Sequence, residues 1–355
     1  MTLSQTPFGA DAPHRHDTIR AAIEAAPALR ARDLAERLEI SEAELLDARG
    51  EGWRVSRIAA TPGQLIPAVE GLGEVMALTR NAWCVHEKVG RYTDFHDGPH
   101  ASMTLGADID TRMFAKHWVH AFHVEQETET GLRRSLQVFD AAGDAVHKIH
   151  LRDGSDIAVF DAMRDGLAVD AGPLNITART PVDGALENPD RADALRRELA
   201  KLTDTHQFLM LCRKVKMNRL GAYRVAGEPF ARKLAPRAFG DTICALSEKA
   251  VPAMVFVGNA GCIQIHSGPI RKVAPMGPWL NIMDPGFNLH LRDDKVAEVW
   301  AVEKPTKRGP AISVESFDAD GMLISQIFGY RKENAGIDHV DDFAAIVAHL
   351  PGVDA

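Results

Sequence analysis

Asn81-Ala82-Trp83-Cys84-Val85 and Asn259-Ala260-Gly261-Cys262-Ile263 are two versions of one stretch, 178 residues apart (259 − 81 = 178). With that offset held and no gap, Gly90 meets Gly268, Val124-Glu125 meets Val302-Glu303, and Gly131 meets Gly309. Further along, Phe139-Asp140-Ala141-Ala142-Gly143 meets Phe317-Asp318-Ala319-Asp320-Gly321, and the flanking Met76/Met254 and Ile149/Ile327 agree too. Matches kept in one register over such a distance identify an internal repeat. One domain has been copied.

The residues around these landmarks say what each copy is. Ala82–Glu87, Ser135–Phe139, Ala145–Leu151, Cys262–His266, Leu280–Ile282, Ala297–Val302, Ile312–Phe317 and Leu323–Phe328 are short and rich in β-branched or aromatic residues, the pattern of strands. The tetrads Asp140–Gly143 and Asp318–Gly321 place a glycine where a hairpin turn needs positive φ. Helical periodicity precedes the strands, over Thr18–Arg49 in the first half and roughly Asp190–Val225 in the second. The expected fold class is α+β, a tandem duplication of a domain with a large antiparallel sheet flanked by helices. Residues 1–166 form the first repeat, the Pro- and Gly-marked stretch 167–188 a linker, and 189–355 the second repeat.

Composition narrows the function. The 355 residues carry 41 Lys+Arg against 49 Asp+Glu, a formal charge of −8, which opposes a broad phosphate-binding surface and makes nucleic acid an unexpected partner. Arg32–Leu45 has the outline of a helix-turn-helix, but Glu42 and Glu44 would open its reading helix with the wrong sign for phosphate. Cys84, Cys212, Cys244 and Cys262 make no CxxC or zinc-knuckle spacing, and read as reduced, mostly buried thiols. Neither a signal segment nor an apolar run of membrane-spanning length is visible, so a cytoplasmic location without stable membrane insertion is expected. Neither GxGxxG nor GxxxxGK[ST] occurs, so neither nucleotide fingerprint is present.

Fifteen histidines against three tyrosines draw attention to metal chemistry. His117, His120 and His123 do not converge on either a helix or a strand, and neither do His147 and His150 on a strand. The repeat supplies a sharper filter, because polar residues present in one copy only are candidates for a task beyond folding. His206 maps to Ala28, Arg112 to His290, and Tyr330-Arg331 to Arg152-Asp153. On a helix, His206 falls on or beside the stripe of Leu199, Leu202, Leu209 and Met210 and is expected to be partly buried.

Leu202-Thr203-Asp204-Thr205-His206-Gln207-Phe208, Ala253–Gln264, Trp279-Leu280-Asn281-Ile282 and Lys304-Pro305-Thr306 resemble the hemin-degrading factor family, the HemS/HmuS/ChuS-type bacterial haem-utilisation proteins. So do Arg80-Asn81, Val85–Gly90 and Ile109-Asp110-Thr111-Arg112 in the first half, and the likeness runs from about Thr18 to Leu350. The resemblance implies that haem is both ligand and substrate. It makes His206 the axial iron ligand and Arg112 the distal cation opposite, able to hold water or to stabilise developing negative charge. It puts Arg219, Lys304, Gln326, Tyr330 and Arg331 at polar pocket positions for the haem propionates, with Lys304, Arg219 and Arg331 foremost. Phe114 is an aromatic flank, Leu209 stands where relatives often have phenylalanine, and His86 matches a second haem ligand. Cys212, six residues after His206, is expected to be a buried thiol rather than a ligand.

The function so implied is haem-oxygenase-like ring opening with release of iron. It would draw on an external reductant such as NAD(P)H or ascorbate, since no flavin or nicotinamide motif is present. The alternative is a carrier that hands haem to a separate haem oxygenase. Expected partners are a haem ABC importer, a reductase or a haem oxygenase.

Overall fold

The computed structural model describes residues 12–170, 172–332 and 336–353. Two compact units emerge. The first takes the chain up to Thr79, Val89–Arg179 and Asn259–Ile263; the second takes Arg80–Lys88, Thr180–Gly258 and the chain from Gln264 onward. Each unit therefore borrows a short segment from the other half of the chain, and the linker divides between Arg179 and Thr180.

The repeat is carried into the secondary structure. Strand Cys84–Gly90 recurs as Cys262–Gly268 and the 3₁₀ turn Ala115–His117 as Asp293–Lys295, residue for residue at the offset of 178. In both hairpin turns the first aspartate accepts from two backbone N–H groups: Asp140 Oδ1 from Ala142 and Asp144, Asp318 Oδ1 from Asp320 and Met322. Gly143 and Gly321 take φ of 75° and 80°, as the tetrads require.

The first unit contains the antiparallel order Trp53–Ile58, His120–Thr128, Gly131–Phe139, Ala145–Ser155, Gly73–Arg80. The second unit repeats it as Ala231–Leu234, Glu298–Lys304, Ala311–Phe317, Leu323–Gly329, Ala253–Gly258. In the second unit one face of that sheet, with Val255, Val299, Val314 and Ile327, packs with Phe239 and Ile243 of helix Ala238–Glu248 and Phe343 and Ile346 of helix Val340–Ala348. The other face lies against three shorter helices. Trp300, Val302 and Phe317 from the sheet pack there with Leu195, Phe208, Leu211 and Tyr223.

Those three helices correct the single span expected from periodicity. They are Ala192–Leu199, Gln207–Lys214 and Arg219–Ala226. Side chains and one backbone angle end the pattern locally: Asp204 and Gln207 accept from backbone N–H groups in the first break, Lys216 takes φ 58° in the second, and Asn218 caps the third helix through Gly221 N–H. In the first half the expected helical region resolves into Ala12–Ala25, Ala31–Arg37 and Glu42–Asp47, the last two forming the helical pair read from Arg32–Leu45. Ser41 and Glu44 form a reciprocal capping box. Glu44 also pairs with Arg15 and Glu42 with Lys148, so this helical pair spends its acidic residues on its own fold. Among the described residues, no helix is long and apolar enough to cross a membrane.

Candidate functional site

His206 is not on a buried stripe. It occupies the position before helix Gln207–Lys214, and its side chain is 91 % exposed. Interruption of the helix at Leu202–His206 is the reason, because it frees the ring from the helical face that Phe208, Leu211 and Cys212 bury. Asp204 holds the ring through Nδ1 at 2.6 Å and accepts from the His206 backbone N–H at 2.8 Å. Those bonds keep the Asp204 carboxyl below its ordinary value. Leu209 and Met210, on the same helix, are exposed.

Directly after His206 the chain turns inward. Phe208 stacks on Tyr223 at 5.3 Å between centroids, and the ammonium of Lys304 lies 4.8 Å from the Phe208 ring. Beneath them is a buried polar cluster. Glu315 Oε1 accepts from Lys304 Nζ at 3.1 Å, Tyr223 OH at 2.9 Å and Ser313 Oγ at 2.9 Å, while Oε2 accepts from Arg219 Nη1 at 3.0 Å. Lys304 and Arg219 also donate to the Tyr223 hydroxyl, at 3.0 and 3.2 Å. Burial alone would raise the Glu315 carboxyl, but Lys304 and Arg219 with the hydroxyl donors hold it down to about 2. Burial lowers Lys304 below its ordinary value, with Glu315 opposing. Two cations thus share one carboxylate, leaving the cluster with one more positive than negative charge.

Cross-strand pairing extends this face. Gln326 sits opposite Glu315 and Phe256, and Phe328 opposite Ser313. Met254, Phe256, Gln326 and Phe328 are half-buried, and the two phenylalanine rings meet at 5.2 Å. A third cation stands on the loop side: Arg331 donates to Asp338 Oδ2 at 2.9 Å and to the Arg308 carbonyl at 2.7 Å. The same loop reaches the histidine turn, where Lys307 N–H donates to Thr203 O at 3.1 Å. Tyr330 is half-buried and accepts from His339 N–H through its carbonyl at 2.9 Å. The second unit therefore combines an open imidazole, a half-buried aromatic wall, the buried Lys304 and the half-buried Arg219 and Arg331. Glu315, Tyr223 and Ser313 were missed by residue-type reasoning. A glutamate with alternating Ser313 and Phe317 in a strand was the available signal, since a carboxylate on a covered face needs cations.

Arg112 and Phe114 belong to the first unit. Arg112 lies on strand Asp110–Met113, pairs with Asp110 and donates to the Thr111 carbonyl at 3.0 Å. Phe114, half-buried, donates its N–H to Gly261 O at 2.9 Å. His86, in the second unit, is wholly buried against Phe287, with Gln264 Nε2 at 2.9 Å from Nδ1 and no partner on Nε2. Its ring is enclosed in this arrangement. Cys212 is buried, and burial pushes its thiol up to about 11, so it stays a thiol near neutral pH. His123 stacks on Phe160 and meets the Phe160 carbonyl; His147 is enclosed by Thr79 and Tyr92. No group of three His, Cys, Asp or Glu among the described residues is arranged to hold a metal ion.

Comparison with known proteins identifies relatives of the chain. A family described as the haemin-degrading HemS/ChuX domain matches residues 39–167 and 216–350. The hemin transport protein HmuS of Yersinia pestis is 37% identical over 309 residues, spanning 86% of this chain and 89% of that protein. HemS of Yersinia enterocolitica, also named a hemin transport protein, is 35% identical over 308 residues, with coverage of 86% and 89%. Among solved structures, ChuS of Escherichia coli O157:H7, described as a heme degrading enzyme, superposes with a TM-score of 0.86 at 33% identity, covering 95% of this chain and 99% of that one. Holo-PhuS of Pseudomonas aeruginosa, described as a heme-binding protein, gives 0.88 at 37% identity, covering 95% and 98%.

Proposed function

The chain belongs to the haemin-degrading HemS/ChuX domain family, and on that premise we propose that it binds haem in the second unit and promotes its degradation with release of iron. The observation that carries this reading is the exposed His206 imidazole, held by Asp204 in the same unit as a half-buried aromatic face and a cluster with surplus positive charge. Haem has an iron that accepts imidazole nitrogen, a flat apolar macrocycle and two carboxylates, and each finds a counterpart here.

In this reading His206 Nε2 ligates the iron, while Leu209, Met210, Phe256 and Phe328 exclude water from the macrocycle. Arg219, Lys304 and Arg331, with Gln326 and Tyr330, orient the propionates. Arg112 supplies a permanent cation with directed N–H donors where negative charge develops on oxygen. Haem supplies the redox-active iron and is itself consumed. Dioxygen or peroxide would be the oxidant that opens the ring, and the electrons would come from outside, from NAD(P)H through a reductase or from ascorbate. An importer would supply haem to a cytoplasmic protein.

A carrier is the second reading, favoured by the openness of His206, which suits a ligand that must be released to a separate haem oxygenase. Mixing the protein with haem, NADH or ascorbate, and catalase separates the two. Loss of the Soret band with iron release in the presence of catalase supports degradation; a persistent band, or bleaching abolished by catalase, supports the carrier.

A further inference from the structure

The turn that presents His206 is built around a second residue. Asp204 Oδ1 accepts both the backbone N–H and the ring Nδ1–H of His206, two positions later. The turn is tied down on both sides, because Gln207 Oε1 accepts from Thr203 N–H at 3.0 Å and Thr203 O from Lys307 N–H. A ring with its proton on Nδ1 has its lone pair on Nε2, the nitrogen farther from the backbone. A carboxylate on that N–H makes Nε2 a stronger donor. Exposed to water, such a bond contributes little; once a flat apolar ligand covers the ring, the surroundings lose dielectric screening and the charge-assisted bond strengthens.

We propose that Asp204 is a positioning residue for the axial ligand, fixing the His206 tautomer and making its iron-facing nitrogen favour ferric over ferrous haem. The inference rests on the haem reading above and adds to it the residue that sets the strength of the ligand. Asp204→Asn keeps the shape and removes the charge. In that variant the ferrous iron–imidazole stretch should fall in frequency and the ratio of ferric to ferrous haem affinity should drop about tenfold, with the unfolding midpoint of the haem-free protein unchanged. Asp204→Glu should restore part of both.

Unchanged stretch and affinity ratio in Asp204→Asn and Asp204→Ala overturn the proposal. Nitrogen NMR of the haem-free wild-type protein above pH 8 needs no variant: His206 protonated on Nδ1 is expected, and a ring protonated on Nε2 contradicts it. Failure of the haem reading has a different signature. There His206→Ala keeps the wild-type axial spectrum, and the Asp204 role falls with the ligand.

Discussion

The helix-covered sheet faces of the two copies have the same frame and different contents. Where the second copy has Arg219, Tyr223, Lys304 and Glu315, the offset of 178 gives Ser41, Leu45, Gln126 and Gln137 in the first. Ser41 caps a helix, Leu45 is buried in an apolar cluster, and Gln137 donates to Ser135 Oγ at 3.1 Å. These four positions carry no charge in the first copy, whose layer holds a Glu42–Lys148 pair elsewhere instead, and His206 has only Ala28 as its counterpart. Buried ion clusters are weak contributors to stability compared with well-packed apolar residues. On the haem reading proposed above, the charges of the second copy serve ligand binding rather than the architecture.

The largest test of that contrast is Glu315→Ala. It leaves the buried Lys304 and the half-buried Arg219 without their carboxylate, and should cost about 3–5 kcal/mol of stability. Gln137→Ala, at the equivalent position, should cost about 1 kcal/mol or less. Denaturant unfolding of both variants checks this, and equal losses break the contrast.

His206→Ala comes next, with haem affinity falling at least about tenfold, ~1.4 kcal/mol, and a changed axial spectrum. Ala28→His should add no second equivalent of bound haem in a spectral titration, because the first copy lacks the cation cluster; a second equivalent would show that the histidine alone is sufficient.

Acid unfolding probes the copies through different groups. His147, in the first unit, is pushed down from 6.5 to about 3 by burial, with His150 adding to it. The unfolded ring therefore takes a proton near 6.5 while the folded ring refuses it, and stability is lost as pH falls from 6.5 toward 3. His266 acts with the same sign in the second unit. Glu315 lies at about 2 against 4.5 unfolded, so its contribution is present above 4.5 and lost as pH falls toward 2. His147→Gln should flatten the upper part of the stability–pH curve and Glu315→Gln the lower part; curves parallel to wild type would refute the assignment.

The smallest effect is expected from Leu209→Phe. Leu209 is exposed, so stability should stay within about 0.5 kcal/mol and haem affinity should change less than tenfold. A larger gain would make an aromatic at this position part of the binding face.

Much of this was legible from residue order, because repeats, turn glycines and strand alternation are local signals. The Asp-x-x-Gly tetrads announced both hairpins, and Glu42 and Glu44 announced a helical pair that serves the fold. The exposure of His206 was not legible: periodicity counts residues through a helix and does not see that Asp204 and Gln207 end it by bonding the backbone. The enclosure of His86 was equally hidden, since an alternating strand leaves open which of its faces is covered.

By itself, the sequence determined a duplicated α+β domain, an asymmetry between its copies and a short set of polar candidates, because each of these depends on spacing along the chain. Tertiary structure alone decided that Arg219 and Lys304 meet on Glu315, 96 and 11 residues away. It also decided that His206 stands open while His86 is sealed. Burial and charge pairing belong to surfaces brought together by packing, and no local pattern encodes which side chain will be left facing a ligand.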